Sequence, residues 1–122
     1  MPLELGMFLG AKEYGTGRQR EKICLVLDRN PHRYQKFCSD IAGQDISAHN
    51  RKVDVAIRVV RDFLRSAEPN VIIPGGAKIH ERYLAFLKEL PLICRKLGLK
   101  KDEMIFNDYA TLIAEWLKAH PQ

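Results

Sequence analysis

The fold is decided by residues 2–28, which read PLELGMFLGAKEYGTGRQREKICLVLD. Residues 2–14 predict a helix, because apolar side chains recur at helical spacing and Pro2 suits a first helical position. The glycines that follow predict a turn. Residues 22–28 then predict a buried strand, since their apolar run has no polar face and ends at an acid. A helix, a glycine turn and a buried strand in this order are typical of an α/β sheet.

The rest of the chain continues this alternation only to about residue 66, and beyond that point it is predicted to be helical. Asn50 and Asn107 are predicted helix N-caps. Pro91 is expected to kink the helix that contains it or to divide it in two. The predicted elements, in chain order, are a helix at 32–42, a short strand at 45–49, a helix at 52–66, an extended piece at 71–73, a helix after Gly76 that stops at Gly98, and a last helix from 107 with an apolar stripe of Tyr109, Leu112, Ile113, Trp116 and Leu117.

Several motifs resemble a known family. Residues 2–6 (PLELG) and 10–12 (GAK), followed by an apolar strand, resemble Toll/interleukin-1-receptor-like (TIR-like) domains. Nucleoside 2-deoxyribosyltransferases show a similar Glu-Leu-Gly helix before a strand. In both families a glutamate on this helix performs the glycosidic-bond chemistry. A bacterial TIR-like group is similar over three further motifs, namely residues 39–49 (SDIAGQDISAH), 73–79 (IPGGAKI) and 106–112 (FNDYATL).

The resemblance implies a fold and a domain organisation. Residues 1–68 would form the C-terminal half of a TIR- or flavodoxin-like α/β domain with a partial doubly wound parallel sheet, and 69–122 a helical extension packed on it. TIR-like domains have about five parallel strands, and a two-stranded parallel sheet is not a stable core. We therefore expect a longer protein of which this chain is the C-terminal part, through a mis-called start or a natural truncation. Its uncovered apolar residues predict a dimer or a poorly soluble monomer.

Glu4 is the candidate catalytic residue that the resemblance implies. Cleavage of the N-glycosidic bond of NAD or of a nucleoside passes through an oxocarbenium-like state, which a carboxylate can stabilise or attack. The alternative is that Glu4 has a structural role, because an acid in the first turn interacts favourably with the helix dipole. The 122-residue chain alone is expected to lack glycosidase activity, because chain ends commonly fray and a frayed first turn cannot position a carboxylate.

A second group of residues is a candidate ligand-binding cluster. Asp40, Gln44, Asp45 and His49 lie around the second predicted strand, and α/β proteins place ligand-contacting residues at strand ends. The alternative is a set of turn-forming acids and a histidine that leads into a helix. Lys78, with the exposed N–H groups of the preceding glycines, could hold a phosphate. The alternative there is a plain helix-entry loop, since the P-loop spacing is absent.

Composition limits the function classes. The chain has 122 residues, of which 46% are hydrophobic and 29% charged, as expected for one soluble domain. No apolar run reaches the ~20 residues of a membrane helix, and no signal peptide is evident. Three widely spaced cysteines indicate reduced thiols in a cytoplasm, with Cys24 as a core residue, and they form no metal-binding pattern. The net charge of +5 could attract phosphates or reflect a solvated surface.

Two hypotheses about function remain open. The first is a fragment of a TIR-like N-glycosidase that processes NAD or another nucleotide in bacterial defence or signalling. The second is a non-catalytic TIR-like module that binds a nucleotide or self-associates. In both, NAD or a related nucleotide is the expected small-molecule partner, and no separate cofactor or metal is expected. Neither nucleic acid nor a membrane is an expected partner, because no nucleic-acid motif accompanies the basic residues.

Overall fold

The computed structural model describes residues 2–31 and 46–121. By its internal contacts the chain divides into two compact units, Met1–Gly76 and Ala77–Gln122. The division therefore falls after Gly76, and the predicted assignment of 1–68 to a TIR-like domain stays a prediction. Each unit has its own architecture.

Helices dominate the described ranges, and the predicted helices at 2–14 and 52–66 are both confirmed. Gly17–Arg20, where the sequence predicts only a turn, forms a four-residue helix. The elements are α1 (Pro2–Tyr14), α2 (Gly17–Arg20), β1 (Val26–Asp28), β2 (Ile46–Ala48), α3 (Val53–Ala67), α4 (Gly76–Leu97) and α5 (Phe106–Ala119). Within the described ranges, no helix has the length and apolar character that a bilayer span requires.

One parallel strand pair lies in the first unit. Val26 pairs with Ile46 and Asp28 with Ala48, which confirms the predicted second strand and the parallel α/β character of this region. Among the described residues these two strands form the whole sheet, so a full doubly wound sheet is not shown. The predicted helix at 32–42 lies outside the described residues.

The predicted burial of the first strand is wrong. Only Val26–Asp28 of the predicted strand at 22–28 forms β1, and residues 22–25 precede it without strand structure. Ile23, Cys24 and Leu27 are exposed, so Cys24 is not the core residue that the sequence predicts. The physical reason is the small size of the sheet, because a pair of three-residue strands covers little of either face.

The helices of the first unit are covered only in part. No described residue of this unit is buried. On α1 the apolar residues Leu5, Phe8 and Leu9 are half-buried. On α3 the residues Val60 and Leu64 are exposed. The first unit therefore contains amphipathic helices without a closed core among its described residues.

The entry to α3 differs from the prediction. Asn50 and Arg51 have φ angles of 50° and 60°, in the left-handed region. Asparagine tolerates this region better than most residues, and the chain turns there before the helix begins. Lys52 is therefore the N-cap, without a side-chain capping hydrogen bond, and the prediction of Asn50 as the cap is wrong.

The second unit has a small core between α4 and α5. Five buried side chains form it: Phe86, Leu90, Cys94, Leu112 and Trp116. Each helix contributes residues four positions apart, which lie on one face of a helix. The predicted stripe on α5 is thus buried at Leu112 and Trp116, while Ile113 and Leu117 remain exposed.

The ends of these helices confirm one prediction and correct another. Gly98 has a φ of 69°, and Leu99 N–H donates to the Cys94 carbonyl at 2.9 Å, so α4 stops at Gly98 as predicted. The helix runs through Pro91 and is not divided there, whereas the kink that the sequence predicts as the alternative stays a prediction. The N-cap of α5 is Ile105 and not Asn107.

A carboxylate explains the position of this cap. The Ile105 N–H donates to Asp108 Oδ2 at 2.9 Å. Asp108 is the third residue of α5, and its carboxylate satisfies the backbone N–H of the N-cap residue.

Candidate functional site

Glu4 lies in the first turn of α1 and is exposed. The pKa of its carboxyl group lies below the ordinary value, because of a hydrogen bond from the chain's amino terminus, another from its own backbone N–H, and the attraction of the terminal positive charge. Glu4 is therefore ionised at neutral pH. An ionised carboxylate can stabilise or attack a developing cation, but it cannot serve as a general acid.

The carboxyl ends of the two strands meet beside His49. The register places Asp28 opposite Ala48, and the backbone N–H of His49 donates to the Asp28 carbonyl at 3.0 Å. The Asp28 side chain accepts a hydrogen bond from the Arg29 N–H at 2.6 Å. His49 is half-buried. This edge is where α/β sheets bind ligands. Asp28 could have been added to the candidate residues from the sequence, because it is an acid at the end of a predicted strand.

The other predicted ligand residues belong to the second unit or fall outside the described ranges. Lys78 belongs to the second unit, where its ammonium group pairs with Glu81 at 3.1 Å on the exposed surface of α4. Asp40, Gln44 and Asp45 lie outside the described residues. His49 is the member of the predicted cluster that the described ranges include, and it follows the end of β2.

Arginine–carbonyl hydrogen bonds hold the loop that leads into α4. Arg61 on α3 donates to the carbonyl of Pro74 at 3.0 Å and to that of Ile73 at 2.9 Å. A Cβ atom added at Gly76 would lie 3.1 Å from the Arg58 Cα, so this glycine permits a close approach of the chain to α3. Sequence reasoning missed this role of Arg61, because the bonds join residues more than ten positions apart.

The first unit contains a cleft that sequence reasoning also missed. It has a volume of about 560 Å³ and lies between α1, the residues before β1, and α3. Its lining residues are Leu9, Lys12, Glu13, Ile23, Cys24, Phe63, Ser66 and Ala67. Its sequence signals are two matching i, i+3, i+4 spacings, one from Leu9 to Glu13 on α1 and one from Phe63 to Ala67 on α3.

The acid in this cleft is Glu13, which lies two and a half turns along α1 from Glu4. At 1.5 Å per residue the two positions are about 13 Å apart along the helix axis. The predicted catalytic carboxylate and the cleft are therefore separate features of the described structure.

Among the described residues, no group of three or more His, Cys, Asp and Glu side chains could hold a metal ion. No family model, curated protein or solved structure matches this chain significantly. The resemblance to TIR-like domains therefore stays a prediction from the sequence motifs.

Proposed function

We propose that this chain belongs to a TIR-like N-glycosidase that processes NAD or a related nucleotide in bacterial defence or signalling, with Glu4 as the key carboxylate. The observation that supports the proposal is the placement of Glu4. It lies at the exposed start of the helix that precedes a parallel strand. The parallel pairing of β1 with β2 is consistent with an α/β sheet of this class.

The proposed chemistry suits an ionised carboxylate. In NAD the bond between C1′ of the ribose and the nicotinamide nitrogen breaks, and its electron pair leaves on the nitrogen. Nicotinamide is therefore released as a neutral base and needs no general acid. Glu4 would stabilise the positive charge that develops on the ribose. Water adds a hydroxyl group at C1′, and its remaining proton passes to solvent.

The proposal is tested by incubating the protein with NAD and measuring nicotinamide release over a series of protein concentrations. The assay uses both the 122-residue chain and the protein as expressed from its own genomic locus. Where the locus encodes a longer product, we expect turnover from that product; from the 122-residue chain we expect none, because its Glu4 lies in an exposed first turn.

Two matched substitutions locate the chemistry. Glu4→Gln removes the proposed carboxylate, and Glu13→Gln makes the same change on the same helix, at the cleft. Release of nicotinamide should be lost in Glu4→Gln and retained in Glu13→Gln. No release from the locus product at any concentration, or equal activity in both variants, would contradict the proposal.

A second candidate is a non-catalytic module that binds a nucleotide or self-associates. The observation that favours it is the apolar surface of the first unit. Ile72 is 91% exposed, and Ile23 and Leu64 are also exposed, while no described residue of the unit is buried. When a partner buries such apolar surface, the complex is stabilised by about 25 cal/mol for each Å² removed from water. Calorimetric binding of NAD without nicotinamide release would support this candidate.

A further inference from the structure

Helix α4 has a second apolar face that the core of its own unit does not use. Phe86, Leu90 and Cys94 occupy the buried face. Leu84, Leu87 and Pro91 follow one another at spacings of three and four residues, which places them on one stripe of the helix. Leu84 is 44% exposed, Leu87 is 36% exposed, and Pro91 is also exposed. We call these three residues the outer stripe.

A row of charges runs beside the outer stripe. Glu81, Lys88 and Arg95 are spaced seven residues apart, and a seven-residue interval returns to nearly the same side of a helix. All three side chains belong to exposed residues. Glu81 already contacts Lys78 at 3.1 Å, but an exposed ion pair of this kind contributes little stability and can be exchanged for another.

We propose that the outer stripe is a docking surface for a second copy of this chain, with the two α4 helices antiparallel. The midpoint of the charge row is residue 88, and the midpoint of the outer stripe lies between residues 87 and 88. The two midpoints differ by half a residue, about 0.8 Å along the helix, so one twofold axis serves both. It brings Leu84 opposite Pro91 of the second copy and Glu81 opposite Arg95 of the second copy, twice in each dimer.

A groove at one end of the outer stripe fits this arrangement. It has a volume of about 580 Å³, and its rim carries the cations Arg95 and Lys101. Its apolar lining consists of Leu87, Leu90, Pro91, Cys94 and Leu99. In the antiparallel register, Leu84 of the second copy would lie over this groove, and Glu81 of the second copy would lie at its cationic rim. Each copy would thus fill the groove of the other.

The same register places Lys88 opposite Lys88 of the second copy. This like-charge pair on the axis opposes association, whereas the two Glu81–Arg95 pairs favour it. The proposal does not depend on Glu4 or on nucleotide chemistry. A chain that dimerises through α4 and releases no nicotinamide would leave it intact.

Charge reversal tests the proposed pairing in the full chain. Sedimentation equilibrium measures the dimer dissociation constant, and circular dichroism checks that each variant is folded. Glu81→Arg and Arg95→Glu should each weaken the dimer by about tenfold, because either change turns both opposite-charge pairs into like-charge pairs. The double variant should restore the affinity. Glu115→Arg is the matched control, since it reverses an exposed acid on α5 that pairs with Lys118, away from the outer stripe.

Disulfide crosslinking tests the orientation of the helices. Lys88→Cys places a thiol on the proposed axis and should form a disulfide-linked dimer above the background of the wild-type chain. Glu81→Cys should not, because residue 81 of one copy would lie about 21 Å along the axis from residue 81 of the other. A chain that is monomeric at all concentrations would overturn the proposal. So would the failure of the double reversal to restore affinity, or crosslinking of Glu81→Cys as efficient as that of Lys88→Cys.

Discussion

Leu90→Ala should remove a large part of the stability of the second unit. Leu90 is 3% exposed and lies in the five-residue core between α4 and α5. The substitution removes three buried carbon atoms, which corresponds to about 2.4 kcal/mol at 0.8 kcal/mol for each. A residual cavity adds to this cost, but exposed neighbours allow partial collapse, so we expect a total of about 3 kcal/mol. A unit of this length has roughly 2–7 kcal/mol of stability.

The assay is urea unfolding followed by the fluorescence of Trp116, which is the single tryptophan of the chain and is part of this core. With a slope near 1 kcal/mol per molar urea, the midpoint should fall by about 3 M, or the variant should be unfolded without urea. Leu92→Ala is the matched control, because Leu92 lies on the same helix and is 52% exposed. It should change stability by less than about 0.5 kcal/mol. Equal losses in the two variants would refute the assignment of the core.

Three further outcomes follow from particular side chains. Asp108→Ala should destabilise α5 by about 1 kcal/mol in the same unfolding assay, because the Ile105 N–H loses its acceptor. In the folded protein a thiol reagent should label Cys24 rapidly and Cys94 only on unfolding, as peptide mass spectrometry would show, since the first is exposed and the second is buried. Because the pKa of Glu4 is lowered in the folded chain, its ionised carboxylate stabilises the folded state at pH values above the unfolded pKa of about 4.3. This stabilisation is lost as the pH falls through the lower pKa of the folded state. An NMR titration of Glu4 with a midpoint at or above the unfolded value would contradict this.

For the candidate site, the sequence could predict the helix or strand to which a residue belongs better than it could predict the residue's neighbours in space. The helical spacing of residues 2–14 correctly places Glu4 in a first helical turn. The strand that ends before His49 was also predictable from its apolar residues. The approach of His49 to the Asp28 carbonyl was not, because the parallel register joins residues far apart in the chain. The same holds for the cleft beside Glu13, whose walls come from three separate segments.

The sequence by itself determined where the long helices lie and where α4 ends. Helical periodicity and the left-handed conformation of Gly98 are local properties, which a short stretch of chain already specifies. Only the tertiary structure decided which apolar residues are buried. Leu112 and Ile113 belong to one predicted stripe, yet α4 covers the first and leaves the second exposed. Cys24 lies in an apolar run and is exposed, because the strand pair is too short to include it. Burial depends on which neighbour packs against a face, and periodicity within one segment carries no information about that neighbour.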